Sequence, residues 1–339
     1  MTDIALATTT IYVPSVLRQY RASDPDVLMI IAGDLRTPHA EVKALCAEIG
    51  NAIYLDPQDQ EALGYKCSGV LGWRTIQRRN IALLEAIRSG AEVVLSIDDD
   101  NAPRHSSYFE DLRKALETPN HPVAAGDDGW FNLGDYAEDA FFYRGYPFGL
   151  RDRLPLGFTL PIAARVGVVN GLIYGDPDIN AIDRYQDAPH VRTYKAFVER
   201  HGVTVNPCTT WTPINSQNTA YVRELAPLAF VLPAIGRYDD IWASFMAQRV
   251  MEATDYHVLF GEPSVIQERN PHNWLVDLER EIYGMKHTEA FCAGLKAIPV
   301  TPKASVLDNL DTVRQGVTHL PLQARLFLDA WLDDVAKVI

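Results

Sequence analysis

The chain has 339 residues, 47% of them hydrophobic, and it carries a net charge of −13 at pH 7. This length and composition allow a large buried core, in one domain or in a domain with an appendage. The acidic balance, with no basic stripe, argues against a nucleic-acid partner, because such proteins bind through cationic contacts to phosphates.

The cysteines and the hydropathy pattern indicate the cellular compartment of the protein. Four cysteines lie far apart with no C-x-x-C spacing, so we expect reduced thiols and no disulfide framework or thiolate metal site. The first ten residues, "MTDIALATTT", lack a basic segment followed by an apolar one, and no run approaches the roughly 20 apolar residues that span a bilayer. We therefore expect a cytoplasmic enzyme or binding protein without membrane contact.

The first hundred residues alternate short apolar runs with helical patterns. Strands are predicted at "IALA" (4–7), "VLMIIAGD" (27–34), "AIYL" (52–55) and "AEVVLSI" (91–97). Helices are predicted at "PHAEVKALCAEIG" (38–50) and "TIQRRNIALLEAIRSG" (75–90), the second with Ile76 and Leu83 on its buried face. This alternation indicates a doubly wound, Rossmann-like half, in which ligands bind at the carboxyl ends of the strands.

From about residue 120 the pattern changes. The stretch to about residue 165 is rich in aromatic residues, Gly and Pro, which predicts an ordered functional insertion. Beyond it we predict strands at "RVGVVNGLIYG" and "VTVN", a helix at "HVRTYKAFVERHG" and an amphipathic helix at "DDIWASFMAQRVMEA". The last forty residues contain two helical patterns without a chemical motif, for which we expect a role in packing or in an oligomer.

Three adjacent acids, in "SIDDDNAP" (96–103), end a predicted strand. A single D-x-D is more often a solvated loop that caps the next helix. Adjacent carboxylates repel one another, however, and at a strand end they favour a bound Mg²⁺ or Mn²⁺ that bridges a diphosphate. On an extended tip Asp98 and Asp100 would share one side as metal ligands, with Asp99 turned toward the sugar or ribose.

Two further clusters carry charge. In "RRN", Arg78 and Arg79 form either a solvated basic face or a fork for a phosphate or a base edge, and both interpretations stay open. In "GRYDDIW" (236–242), Asp239 is either a helix N-cap or, with Asp240, a carboxylate that orients sugar hydroxyls or acts as a base.

A third cluster is the aromatic loop "FYRGYPFGLRD" (142–152). Its arginines, Arg144 and Arg151, either stack on the rings for purely structural reasons or neutralise a diphosphate leaving group.

Six segments together resemble one family. They are "IIAGD" (30–34), "SIDDDN" (96–101), "FYRGYPFGLRD" (142–152), "NGLIYGDPDINAIDR" (170–184), "GRYDDIWASF" (236–245) and "GEPSVIQERNPHNWLVDLERE" (261–281). In this order the chain resembles the reversibly glycosylated polypeptides of plants, the UDP-arabinopyranose mutases, over about residues 4 to 285.

The resemblance implies an α/β fold of the GT-A class, with a mixed, Rossmann-like nucleotide-sugar-binding sheet flanked by helices and a C-terminal helical extension. The catalytic domain is expected over residues 1–290, with a nucleotide-binding half (1–120) and a sugar and acceptor half (121–290), followed by the extension (291–339). The family also implies a UDP-sugar bound through Mn²⁺ or Mg²⁺ at the triple Asp. Arg151 matches the arginine that is reversibly glycosylated in the family.

The resulting set of site residues falls into three groups. Nucleotide-sugar contacts are predicted for Thr8, Asp34, Arg78, Arg79, Asn80, Asp98, Asp99, Asn170, Gly171 and Asn218. Catalytic roles are predicted for Asp239, Asp240, Arg144 and Arg151, and metal ligation for Asp98, Asp100 and His272. His272 is included because this chain differs from the family near the metal. Where the family has Tyr-His, this chain has Ile266 and Gln267, so either the nearby His272 or water completes the metal site.

The sequence thus predicts a metal-dependent enzyme acting on a UDP-sugar, most simply a pyranose/furanose mutase. A glycosyltransferase with a small-molecule or protein acceptor is the first alternative, and a non-catalytic nucleotide-sugar-binding protein is the second. A nucleotide hydrolase is disfavoured because no Gly-Lys-Ser/Thr phosphate loop is present. The identity of the sugar and the formation of a homo-oligomer stay open.

Overall fold

The computed structural model describes residues 3–125, 129–152, 157–186, 194–267 and 273–339. Its strands are β1 (Ile4–Thr10), β2 (Leu28–Gly33), β3 (Ala52–Leu55), β4 (Val93–Ile97), β5 (Asn101–Pro103), β6 (Asn120–His121), β7 (Ala124–Ala125), β8 (Gly157–Phe158), β9 (Ile162–Ala163), β10 (Arg165–Gly175), β11 (Val203–Val205), β12 (Asn218–Val222) and β13 (Tyr256–Gln267). Its α-helices are α1 (Leu17–Ser23), α2 (His39–Ile49), α3 (Pro57–Ala62), α4 (Lys66–Leu71), α5 (Arg79–Arg88), α6 (Tyr108–Glu117), α7 (Ala181–Gln186), α8 (Ala196–His201), α9 (Asp239–Met251), α10 (Trp274–Lys296), α11 (Val306–Gly316) and α12 (Leu322–Val338).

The central sheet is mixed, in the order β11-β13-β10-β12-β4-β1-β2-β3, with β5 paired to the end of β13. The four N-terminal strands are mutually parallel, which confirms the predicted α/β class with a sheet flanked by helices. β12 runs antiparallel to both β4 and β10 and joins the two halves. Because Asn218 pairs with Ile97, the loop before β12 meets the carboxyl end of β4.

The helix α5 begins later than its pattern indicates. A short 3-10 turn, Ile76–Arg78, precedes it, so the buried face is set from Arg79 onward. Ile76, predicted to face the core, is 51% exposed, whereas Leu83 is buried as expected.

The helix α9 is buried on nearly every side, although its sequence predicts an amphipathic helix. Its large apolar side chains Trp242 and Phe245 are buried. The rest of the helix surface is covered as well, because α10 and α11 pack on it. A helix is buried on all sides only when other elements cover its outer face. The hydrophobic periodicity of the helix itself does not indicate whether such elements are present.

The C-terminal helices belong to the main core. α12 packs on α4 and α5, and the indole N–H of Trp331 donates to the Pro227 carbonyl at 2.9 Å. The buried Asp334 accepts the Cys67 backbone N–H at 2.8 Å. The predicted boundary at residue 290 falls inside the continuous helix α10, and the division into domains stays a prediction. Across the described ranges, none of the helices combines the length and apolar character required to cross a bilayer.

We expect Trp331→Ala to lower the free energy of unfolding by about 3–5 kcal/mol, because it leaves a cavity in a fully buried site and removes a hydrogen bond. Urea denaturation followed by circular dichroism measures this loss. The control is Leu322→Ala on the same helix, where the side chain is 72% exposed and the loss should stay within about 0.5 kcal/mol. Equal losses in the two variants would contradict the placement of α12 in the core.

Candidate functional site

The three acids of the first motif lie in a turn after β4. The Asn101 N–H donates to the Asp98 carbonyl at 3.2 Å, and β5 follows immediately. The prediction of an extended tip is therefore wrong, and the alternation that would place Asp98 and Asp100 on one side does not apply. The structure instead gives each of the three carboxylates a different neighbour.

Asp98 forms an ion pair with Arg79, whose side chain is only 2% exposed. The same guanidinium donates to the backbone and hydroxyl oxygens of Ser216, both at 3.0 Å. The interpretation of Arg78 and Arg79 as a solvated basic face is wrong, because both side chains are buried. Arg79 thus orients the first acid of the motif.

Asp99 accepts a hydrogen bond from the Thr10 hydroxyl. Burial raises its pKa to about 6, the neighbouring charges of Asp98 and Asp100 add to the rise, and the Thr10 bond opposes it. Sequence reasoning missed Thr10. Ala7 lies opposite Ser96 in the parallel pair of β1 and β4. Thr10 and Asp99 each follow three residues later, so both lie at the carboxyl ends of adjacent strands.

The second acidic motif is held by the aromatic loop. Both terminal nitrogens of Arg144 donate to Asp240, at 3.1 and 3.3 Å, while the guanidinium also makes two 2.8 Å bonds to Asp178. All three side chains are buried. Such a buried carboxylate–arginine–carboxylate triad holds its members rigidly, since removing one would leave the others uncompensated.

Ser216 connects the two motifs. Its backbone N–H donates to Asp240 at 3.0 Å, and its oxygens accept from Arg79. We call the resulting set the acid–arginine chain; its members are Asp98, Arg79, Ser216, Asp240, Arg144 and Asp178. The structure therefore brings together two acidic motifs that lie about 140 positions apart, through a serine that the sequence reasoning did not single out.

Asp239 has a separate environment. Its carboxylate accepts from the Gln77 amide at 2.6 Å and from the Asp240 N–H at 3.0 Å. The N-cap interpretation is wrong, because Asp239 is the first residue of α9 and Tyr238 occupies the cap position without a side-chain bond. Burial raises the pKa of Asp239 to about 7, with the Asp240 charge as the next cause. Such a carboxyl can exchange a proton near neutral pH.

Arg151 lies apart from the acid–arginine chain. It makes two bonds to Asp183, at 2.8 and 2.9 Å, and its guanidinium lies 3.8 Å above the centre of the Phe148 ring and 4.6 Å from that of Phe142. Arg151 therefore stacks on the aromatic rings, as the structural interpretation of this loop predicts. Its catalytic role stays a prediction.

Three predicted contact residues are engaged within the protein. Asp34 accepts the N–H groups of residues 74 and 75, both at 2.9 Å. The Asn80 amide bonds both the N–H and the carbonyl of Val231. Arg78 donates to oxygens of α3 and α4. These side chains shape the loops around the site, and their contacts to a nucleotide stay predictions.

The strand residues predicted as contacts divide between the faces of the sheet. Asn170 donates to the Thr219 hydroxyl at 2.7 Å, and Thr219 pairs with Ser96, which bonds to the acid–arginine chain. Gly171 and Asn218 instead line a cavity of about 290 Å³ on the opposite face, beside α6. The structure thus brings Asn170, and not the other two, to the side of the acids.

Two predicted residues remain. Thr8 is fully buried on β1, and its hydroxyl finds no hydrogen-bond partner within the described ranges. His272 lies outside the described residues, so its ligation of a metal stays a prediction. Among the residues that are described, no three His, Cys, Asp or Glu side chains converge as a metal-binding group.

Replacing Arg144 with Met should lower the free energy of unfolding by about 3–5 kcal/mol, because Asp178 and Asp240 would remain buried without their cation. Chemical denaturation measures the change. Arg165→Met is the matched control: this arginine is 54% exposed and pairs with Asp255 at the surface, so its loss should cost at most about 1 kcal/mol. A similarly small cost at Arg144 would show that the buried triad does not stabilise the site.

The raised pKa of Asp239 predicts a pH-dependent stability. A carboxyl with a raised pKa contributes stability that is fully present below its ordinary pKa of 3.8 and is lost as the pH rises through about 7. Relative to Asp239→Asn, the wild-type protein should therefore lose on the order of 2–4 kcal/mol between pH 5 and pH 8. Urea titrations at several pH values in that window test this.

The control for Asp239 is Asp333→Asn, which removes a carboxylate that pairs with Lys66 on the surface. That variant should track the wild-type protein across the window to within about 1 kcal/mol. Parallel pH profiles for wild type and Asp239→Asn would contradict the assignment of a near-neutral proton to Asp239.

Comparison with known proteins assigns the chain to a family. The family model described as "Reversibly glycosylated polypeptide" matches residues 86–319. This match begins later than the resemblance noted from the motifs and extends past the end of α11.

Among individual relatives, UDP-arabinopyranose mutase 1 of Oryza sativa subsp. japonica is 26% identical over 70% of this chain and 62% of its own length. Probable UDP-arabinopyranose mutase 1 of Pisum sativum is 31% identical over the same shares. The chain therefore spans less than two thirds of the length of these relatives.

A solved structure, 4-diphosphocytidyl-2C-methyl-D-erythritol synthase from Anaerococcus prevotii, aligns over 84% of this chain and 96% of its own. Its 9% identity and TM-score of 0.33 are too low to add to the assignment. The family model, by contrast, covers more than half of the chain and includes both acidic motifs. The chain belongs to the reversibly glycosylated polypeptide family.

Proposed function

We propose that this protein is a metal-dependent UDP-sugar mutase that interconverts the pyranose and furanose forms of the sugar. The observation that carries the proposal is the acid–arginine chain, which joins both acidic motifs at the carboxyl end of β4. Ligands of open α/β sheets bind at that edge. Family membership and relatives named as UDP-arabinopyranose mutases support the same substrate class.

The residues around the turn fit a hard divalent cation such as Mn²⁺ or Mg²⁺. Asp98 and Asp100 supply carboxylate oxygens, and the Gln267 carboxamide lies beside Asp100. Oxygen donors of this kind suit these ions. When bound, the cation would neutralise charge on the diphosphate leaving group.

The protein side chains then have distinct tasks in the reaction. When the bond between the anomeric carbon and the diphosphate oxygen breaks, the electron pair leaves with UDP and positive charge develops on the sugar. The buried Arg79 holds Asp98 in place, and Arg144 holds Asp240 in place, so the negative charges that stabilise the sugar need not reorganise. A different sugar hydroxyl then attacks the anomeric carbon and gives its proton to a base. The same group returns a proton to the original ring oxygen as the bond between that oxygen and the anomeric carbon breaks. The diphosphate oxygen finally rejoins the anomeric carbon, which gives the isomeric UDP-sugar.

Asp239 is the better candidate for that base. Asp240 is engaged by Arg144 and Ser216, whereas the pKa of Asp239 is raised to about 7 by burial and by the neighbouring charge. A base with a pKa near the working pH transfers protons efficiently in both directions. The same property would suit a transferase, in which Asp239 accepts the proton of an external acceptor hydroxyl.

Incubation with Mn²⁺ and a panel of UDP-sugars, without acceptor, separates the alternatives. We expect an isomeric UDP-sugar by chromatography, and the intact mass of the protein reports any sugar adduct. UDP release that requires an added acceptor would establish the transferase instead. Binding of UDP-sugar without turnover, both with and without an added acceptor, would overturn both enzymatic assignments in favour of a binding protein.

Asp98→Ala and Asp100→Ala should each lower kcat/KM by about 100-fold or more, since each removes a carboxylate from the diphosphate site. The control is Asp255→Ala, whose side chain is 71% exposed and pairs with Arg165 at the surface. Its kcat/KM should match that of the wild-type protein. Undiminished turnover in both motif variants would contradict the mutase and the transferase alike.

A further inference from the structure

Gln77 sets a carboxamide beside the proposed base. It lies in the 3-10 turn that precedes α5, and its amide nitrogen donates to the Asp239 carboxylate at 2.6 Å. The two residues are 162 positions apart in the chain, so no local pattern indicates the contact. Gln77 also lies before residues 86–319, the segment that the family model matches.

The turn that carries Gln77 is held at the carboxyl edge of the sheet. The buried Asp34, which follows β2, accepts the backbone N–H groups of Arg74 and Thr75, both at 2.9 Å. The Arg74 backbone has a φ of 63°, a left-handed conformation that is unfavourable for a residue other than glycine. Such conformations persist only where the surrounding contacts enforce them, and they cluster at functional sites. The position of the Gln77 carboxamide is therefore set before a substrate binds.

One end of this carboxamide is available to a ligand. Gln77 is half-buried, and no group within the described ranges donates a hydrogen bond to its amide oxygen. The Asp239 carboxylate accepts one bond on each oxygen, from Gln77 and from the Asp240 N–H, which leaves a lone pair on each oxygen for a proton.

Two acceptors thus lie next to each other, the Asp239 carboxylate and the Gln77 amide oxygen. Their chemical complement is a pair of hydroxyl groups on adjacent carbons of a sugar. One hydroxyl donates to the carboxylate and the other donates to the amide oxygen, so both acceptors are satisfied at once.

We propose that Gln77 is a specificity-determining residue whose amide oxygen binds the sugar hydroxyl adjacent to the one that Asp239 deprotonates. The inference rests on the proposed function, because it names a substrate contact in the same site. A pentopyranose ring is closed by O5, and its conversion to the furanose requires attack by the O4 hydroxyl. The adjacent hydroxyl, which Gln77 binds, is therefore O3, and the site selects sugars in which O3 and O4 are both free hydroxyls.

The test measures Kd values by isothermal titration calorimetry in the presence of Mn²⁺ for three probes: UDP, UDP-arabinopyranose and the 3-deoxy analogue of UDP-arabinopyranose. The wild-type protein should bind the 3-deoxy analogue about 5-fold or more weakly than the parent, because the O3 hydrogen bond is lost. In Gln77→Met, which keeps the side-chain length and removes both polar ends, this ratio should fall to about 1. The Kd for UDP should not change, since the contact is made to the sugar.

Gln315→Met is the matched control. The amide nitrogen of Gln315 also donates to an aspartate carboxylate at 2.6 Å, that of Asp311, but on the exposed surface of α11. All three Kd values should equal those of the wild-type protein. If Gln77→Met weakens UDP-arabinopyranose and its 3-deoxy analogue by the same factor, Gln77 has a structural role only and the proposal is overturned.

Gln77→Glu supplies a second, independent variant, which keeps an accepting oxygen on a side chain of the same shape. It should retain the preference of about 5-fold or more for the parent over the 3-deoxy analogue, whereas Gln77→Met loses it. A ratio near 1 in Gln77→Glu would show that an oxygen at this position does not contact O3.

The failure of the inference and that of the proposed function give different results. If the panel of UDP-sugars yields an isomer but the wild-type protein does not distinguish the 3-deoxy analogue, the contact to O3 is absent and the proposed function stands. If no UDP-sugar is isomerised but Gln77→Met still abolishes the preference for the parent, the mutase assignment fails and the contact stands.

Discussion

The burial of two guanidinium groups among carboxylates is the constraint on which the rest of the site depends. Arg79 is bound to Asp98, and Arg144 is bound to Asp178 and Asp240. A buried cation is tolerated only when anions satisfy it, and the anions are tolerated only because of the cation. The positions of the acids are therefore coupled to the folding of the whole sheet.

The sheet topology makes this coupling feasible. β12 inserts antiparallel between β4 and β10, so the loop before it meets the end of β4. That loop contains Ser216, whose backbone and side chain bridge Arg79 and Asp240. A strand in the opposite direction would carry Ser216 to the other edge of the sheet and leave the two acidic motifs unconnected.

The acids of the two motifs differ in their surroundings. Asp98 and Asp240 are paired with arginines, which fixes the positions of their carboxylates. Asp239 is buried and Asp99 is half-buried, neither forms such an ion pair, and the pKa of each is raised toward neutrality. Two motifs that look alike in sequence thus each contain a positioned carboxylate and a carboxyl able to hold a proton.

Local sequence determined the elements and the chemistry of this protein. Apolar runs and helical periods predicted β1, β4, α5 and α9 because those signals lie within a few turns of chain, and the motif residues indicated the family. Tertiary structure alone decided that Arg79 pairs with Asp98, that Ser216 joins the motifs, that α9 is buried all round and that Gly171 faces away from the acids. These outcomes depend on strand order and on contacts between residues more than a hundred positions apart, which no local period encodes.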